Sequence, residues 1–195
     1  MTNSENVVLM GCGDVGPVHG KMEDYTTLVR DTLATADICF AQSERLYSEE
    51  HGGKNEGGVD LNLGHGPLQP SQISVFTESG FNVVSMAGNH TMEWGGDVAQ
   101  ETIALFEKNG IRTVGFGPNL KEASRPVIIE KRGVRVAILA RCSVVREGHE
   151  AGPNKPGVAP LRASTTYEAS EWQAGMPPRI ITTPHPGDLE RLRED

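Results

Sequence analysis

The sequence predicts an α/β fold: a mixed-sheet α/β sandwich in one domain over residues 1–195. Three observations predict it. Short apolar runs recur along the chain, and each ends abruptly in glycine and polar residues. Stretches with apolar residues at helical spacing separate several of these runs, as in a parallel crossover. Two β-rich runs flank Lys131-Arg132-Gly133, which marks a hairpin and adds antiparallel pairing.

The first run, over 7–14, ends in Gly13-Asp14. Tyr25, Leu28, Val29, Leu33 and Ala36 then predict a helix over 22–36. A second run, Asp37-Ile38-Cys39-Phe40-Ala41, leads into Gln42-Ser43-Glu44. Residues 48–67 hold six glycines and few apolar anchors, so they read as a long loop carrying His51 and His65. Pro70 opens a helix over 70–79 that Gly80 stops. It feeds a strand over 81–86 that ends in Ala87-Gly88-Asn89-His90. Val98, Ile103, Leu105 and Phe106 predict a helix over 97–109, ended by Asn109-Gly110. A short strand over 111–115 follows, then the hairpin 127–130 and 134–139. Residues 148–160 are a second Gly/Pro-rich segment, with Glu147, His149 and Glu150 as solvated residues. A helix is expected over 163–172, a last strand over 179–185, and a charged helical tail from 189.

Net charge is −8, and an acidic chain repels phosphate backbones, so general nucleic-acid binding is not expected. No run approaches the roughly 20 apolar residues of a membrane span, and no basic, apolar leader is visible. Cys12, Cys39 and Cys142 are odd in number and lie in or beside apolar runs, which reads as buried thiols in a cytoplasmic protein.

Four runs end on a residue able to ligate a metal: Asp14, Glu44, Asn89 or His90, and His185. A parallel sheet brings such ends together at its carboxyl edge, where α/β proteins keep their sites. Asp, Glu and Asn oxygens and a His nitrogen suit a divalent cation such as Mn²⁺, Fe²⁺ or Zn²⁺. Glu93 stands three residues after His90, one helical turn, and is placed to orient it. Arg141 is an anion binder at its strand end or, equally, the partner of Asp14 or Glu44 in a buried ion pair. Singly, Asp14 is also a turn residue after glycine, and Glu44 a surface acid beside Arg45.

The order Gly13-Asp14, Gln42-Ser43-Glu44 and Gly88-Asn89-His90-Thr91-Met92-Glu93 resembles the CapA/poly-γ-glutamate (capsule) synthesis family of the calcineurin-like metallophosphoesterase superfamily. Gly115-Phe116-Gly117, Pro156-Gly157-Val158-Ala159 and Thr183-Pro184-His185-Pro186-Gly187-Asp188 are similar to later segments of that family. Only the Glu of the family's Asn-Leu-Glu is kept, Glu93 replaces an Asp, and Pro186 stands where an aromatic residue is usual. The family's later histidine-bearing motif has no counterpart before Asp195, so the domain is expected to be truncated at its C-terminus.

The resemblance implies a divalent metal (Mn, Fe or Zn) held by Asp14, Glu44, Asn89 and His185, with Glu44 bridging two ions. It implies His90 as the catalytic imidazole, beside which Glu93 and Arg141, read from their positions in the chain, stand as the other candidate catalytic residues. The implied activity is hydrolysis of an ester, amide or phosphoester in an anionic small-molecule substrate. A homo-oligomer or partner subunit would complete the site. The alternative is a non-catalytic subunit or scaffold in poly-γ-glutamate or capsule polymer biosynthesis.

Overall fold

The computed structural model describes residues 6–17, 21–51, 66–169 and 175–195. Its centre is a four-stranded parallel sheet with strands in sequence order: β1 (Leu9–Val15), β2 (Ile38–Ser43), β3 (Val83–Ser85) and β4 (Arg112–Val114). β2 and β3 read as continuous apolar runs because both their faces are covered. β1 is an edge strand and is far more exposed. Its pairing with β2 shifts register between Gly11 and Asp14, after which Asp14 stands opposite Gln42.

The segment before β2 departs from the expected single helix. A 3-10 helix at Met22–Tyr25 is followed by turns and by a one-turn helix α1 (Arg30–Leu33). Leu28 is 98% exposed, so its place in the helical spacing marked no buried face. Pro70–Ile73 forms a 3-10 helix that runs into α2 (Ser74–Thr77), matching the expected helix in position. Here Gln69 and Gln72 cap each other's backbone reciprocally.

Helix α3 (Gly95–Lys108) buries Val98, Ala99, Thr102, Ile103 and Phe106 against the sheet. Phe106 meets Tyr47 and Phe76 edge to face, with centroids 5.9 and 5.1 Å apart. β5 (Phe116–Gly117), α4 (Leu120–Ser124) and the hairpin β6 (Val127–Lys131)/β7 (Val134–Ile138) follow. The hairpin packs Val127, Ile129, Val136 and Ile138 on the main core but pairs as its own two-stranded sheet. β8 (Gly157–Val158) pairs antiparallel with β5.

The helix expected over 163–172 is instead a strand, β9 (Ala163–Glu168), and the last residues of that stretch lie outside the described residues. β9 pairs antiparallel with β10 (Arg179–Pro184). β10 therefore does not join the parallel sheet, and its end feeds α5 (Pro186–Glu194).

Candidate functional site

Three neighbouring parallel strands deliver the site. Asp14, Gln42 and Ser85 stand level across β1, β2 and β3. Glu44 lies just beyond the end of β2, where its N–H donates to the Val15 carbonyl at 3.1 Å and so extends the pairing. Gly16 passes close beside it: a Cβ there would lie 2.9 Å from the Glu44 Cβ.

After β3 the chain turns sharply. The Thr91 hydroxyl donates to the Met86 carbonyl at 2.9 Å and accepts the Gly88 N–H at 3.3 Å. This stitches the Gly88-Asn89-His90 turn in place, a local side-chain substitute for a backbone turn. Gly115, at φ +94°, lies beneath it, and a Cβ there would sit 2.6 Å from that of Ala87.

Asp14, Gln42, Glu44, Asn89 and Arg141 line one open pocket of about 270 Å³, together with Cys142, Ser143 and Val144. His90 stands at this edge between two acids. Its Nε2 lies 3.3 Å from Glu44 Oε1 and its Nδ1 lies 2.8 Å from Glu93 Oε1. Burial pushes the Glu44 carboxyl up, and the nearby negative charge of Asp14 adds to this, while His90 opposes it. Arg45, next to Glu44, is buried and donates to the Gly66 carbonyl.

Arg141 makes no ion pair with Asp14 or Glu44. Its guanidinium donates to the carbonyls of Ala140 and Ser124 and to the Asp195 carboxylate. The sequence reading missed Gln42 and Thr91. Gln42 could have been found as the residue facing Asp14, and Thr91 as a hydroxyl just after Asn-His.

His185 is not brought to this pocket. It caps α5, donates its N–H to the Arg162 carbonyl, and faces Asp188 at 3.6 Å. Asp195, at the other end of α5, is the residue that reaches Arg141. Ten rises of 1.5 Å from residue 185 to residue 195 put His185 about 15 Å from Asp195. The physical reason is that β10 pairs with β9 in a separate two-stranded sheet, so its end is not one of the strand ends of the parallel sheet.

Two carboxylates and two amides on one pocket are a hard-oxygen donor set. Asp14, Glu44 and Asn89 fit one divalent cation in donor chemistry. Among the described residues, no group of three or more His, Cys, Asp or Glu converges on a common metal position. His185 does not extend this donor set.

An acid–amide–imidazole cluster at the carboxyl edge of a parallel sheet defines the candidate site of an α/β protein. The family model described as bacterial capsule synthesis protein PGA_cap matches residues 9–194, and the chain belongs to that family. It is 31% identical over 108 residues to the PGA biosynthesis protein CapA of Bacillus subtilis, covering 55% of this chain and 28% of that one. An uncharacterized protein of Sinorhizobium fredii is 27% identical over 168 residues, 81% of this chain and 36% of its own. A probable polyglutamine synthesis accessory protein of Mycobacterium tuberculosis is 25% identical over 126 residues, 63% and 32%. The chain spans about a third of the length of these relatives. Among the described residues, no helix is long and apolar enough to cross a membrane, and Cys12, Cys39 and Cys142 form no disulfide.

Proposed function

We propose that this chain is a metal-dependent hydrolase of the CapA-like branch, acting on an ester, amide or phosphoester bond in an anionic small substrate. The observation that carries this reading is the bracing of His90 between Glu44 and Glu93 beside the pocket of Asp14, Glu44 and Asn89. A divalent cation (Mn, Fe or Zn) held by Asp14, Glu44 and Asn89 would supply Lewis acidity toward the scissile group. His90 holds a proton at Nε2 for the leaving atom, and Glu93 fixes the ring through Nδ1. Arg141 orients the anionic part of the substrate. A second copy or a partner subunit completes the donor set that His185 does not reach. The three free thiols suit a cytoplasmic location.

A second reading has its own support. The distance of His185 from the pocket favours a non-catalytic subunit or scaffold in poly-γ-glutamate or capsule polymer biosynthesis, and two of the relatives are named a PGA biosynthesis protein and a probable polyglutamine synthesis accessory protein. Elemental analysis of the purified protein, followed by a hydrolysis screen with Mn²⁺, separates the two. Bound metal, with turnover lost in both Asn89→Ala and His90→Ala, supports the hydrolase. Turnover that survives both substitutions overturns it, and absence of both metal and turnover favours the scaffold.

A further inference from the structure

β9 and β10 form a ribbon that pairs with no other strand among the described residues. Every residue of β9 is exposed, and two strands alone are marginally stable in water. The ribbon is nevertheless fixed at its base. His185 donates its N–H to the Arg162 carbonyl at 2.7 Å, one step beyond the pairing of Ala163 with Pro184. Nε and Nη2 of Arg162 both donate to the Asp188 carboxylate at 2.8 Å.

That base bond decides which backbone groups face outward. Arg162 and His185 form a hydrogen-bonded pair, so the alternation of an antiparallel ladder makes Ser164 with Thr183, Thr166 with Ile181 and Glu168 with Arg179 hydrogen-bonded pairs too. The N–H and C=O groups of Ala163, Thr165 and Tyr167 then point away from β10, and those of Ile180, Thr182 and Pro184 away from β9. The two edges therefore differ. The β10 edge is blunted by Pro184, which has no N–H to offer. The β9 edge carries neither proline nor lysine, and all three of its outward residues present both a donor and an acceptor.

We propose that the β9 edge pairs with the β9 edge of a second copy of this chain, about a two-fold axis at Thr165, and so builds a four-stranded antiparallel sheet. The register that uses all three outward residues on both copies sets Thr165 opposite its own counterpart and Ala163 opposite Tyr167. The same register sets Glu168 opposite Arg162 of the second copy, twice over. Those charges are complementary, and Nη1 of Arg162 is the guanidinium nitrogen that Asp188 does not take. The large Tyr167 meets the small Ala163, so the bulk of one copy fits the gap of the other. Ile180, Tyr167, Ala163 and Pro184 then line up as an uncharged row across the sheet, covering Tyr167 and Ile180, which are 68% and 63% exposed in one chain. No like charges face each other. The proposal stands on β9 and β10 alone and is independent of the hydrolase reading.

The test is sedimentation equilibrium of the full chain from micromolar to millimolar protein, with reductant present. Wild type rises toward twice the monomer mass. Thr165→Pro removes an N–H from the centre of the β9 edge while sparing every bond to β10, and weakens the dimer about tenfold or more. Thr182→Pro makes the same change on the β10 edge and leaves the dimer within about twofold of wild type. Cysteine linking gives a reading that no proline substitution can disturb. In this register the two Thr165 Cα atoms lie about 5.5 Å apart, within disulfide reach. Oxidised glutathione then links Thr165→Cys into a covalent dimer, whereas wild type and Thr166→Cys, which faces Ser164 of the second copy, stay unlinked.

A chain that stays monomeric over the whole range overturns the proposal. So does a dimer that Thr165→Pro leaves intact, which would mean that the copies meet through another face. A dimer weakened equally by Thr165→Pro and Thr182→Pro overturns it as well, as does linking of Thr166→Cys as fast as Thr165→Cys. Metal content and turnover are read separately: a metal-free, inactive protein that dimerises through Thr165 keeps the interface and loses the hydrolase, and an active monomer does the reverse.

Discussion

Nδ1 of His90 lies 2.8 Å from Oε1 of Glu93, one turn further along the chain. The other ring nitrogen faces Glu44 at 3.3 Å, so both edges of the imidazole are held by carboxylates. Glu93 does not line the pocket, whereas Glu44 does, which makes Glu93 a positioning residue. Glu93→Gln keeps the length and removes the charge. It is expected to lower kcat about 10- to 100-fold in Mn²⁺-supported hydrolysis with KM nearly unchanged. A rise in KM at constant kcat would instead place Glu93 in contact with substrate.

Gly88 is held to its size by Gln42. A Cβ at Gly88 would lie 2.4 Å from Gln42 Nε2 and 3.2 Å from the Thr91 hydroxyl. That amide nitrogen donates to the Ser43 carbonyl at 3.0 Å, so it cannot retreat without losing its partner. Gly88→Ala is expected to destabilise by about 1–3 kcal/mol through overpacking. In a Gln42→Ala background the clash is gone, and the same substitution should cost well under half as much. Chemical denaturation of the four proteins closes the cycle, and additive losses would show that the two residues do not compete for space.

How much of this was legible in the chain depended on burial. β2 and β3 were readable because residues such as Ile38, Cys39, Val83 and Val84 are buried, so an unbroken apolar run marks them. Asp14 near the end of β1, Glu44 just past β2 and Asn89 in the turn after β3 stood out as polar residues closing apolar runs, and the structure places all three on one pocket. β9 was not readable. Every residue of Ala163–Glu168 is exposed, so no inside–outside alternation exists to betray a strand, and only its Thr and Tyr content favoured one. His185 was misplaced for a different reason: nothing local in Arg179–Pro184 says which strand it will pair with. Partner choice is tertiary, and chain order alone could not supply it.

Asp188 ties the β9–β10 hairpin to α5. It is fully buried, accepts from the Arg162 backbone and both sides of the Arg162 guanidinium, and pairs with Arg191. The Arg162 hydrogen bonds hold its carboxyl down at about 2, against an ordinary 3.8, despite burial. A depressed carboxylate contributes stability that is fully present above its ordinary pKa and is lost as pH falls toward the depressed one. Wild type is therefore expected to lose about 2 kcal/mol from this group between pH 4 and pH 2. Asp188→Asn should lower the Tm at pH 6 and converge on wild type near pH 2. A gap in Tm that stays constant over that range would mean the Asp188 charge contributes nothing and only its shape matters.

Tyr47 gives a prediction of opposite sign. The side chain is fully buried, and its hydroxyl has no hydrogen-bond partner among the described residues. Burial pushes the phenol up strongly, with Arg45 pulling the other way, so the group stays neutral. The ring carries the packing through its edge contact with Phe106, and the backbone N–H is taken by the Thr102 hydroxyl at 2.9 Å. A buried polar atom without a partner costs about 1–3 kcal/mol, whereas removing it in place leaves the packing intact. Tyr47→Phe is therefore expected to be neutral or stabilising by up to about 1 kcal/mol. Tyr47→Ala should cost about 3–5 kcal/mol as the aromatic cluster collapses around the void. Urea denaturation of both variants reads the two effects separately. A clear loss in Tyr47→Phe would reveal a partner for the hydroxyl, with the orientation of Arg45 beside Glu44 as the first place to look.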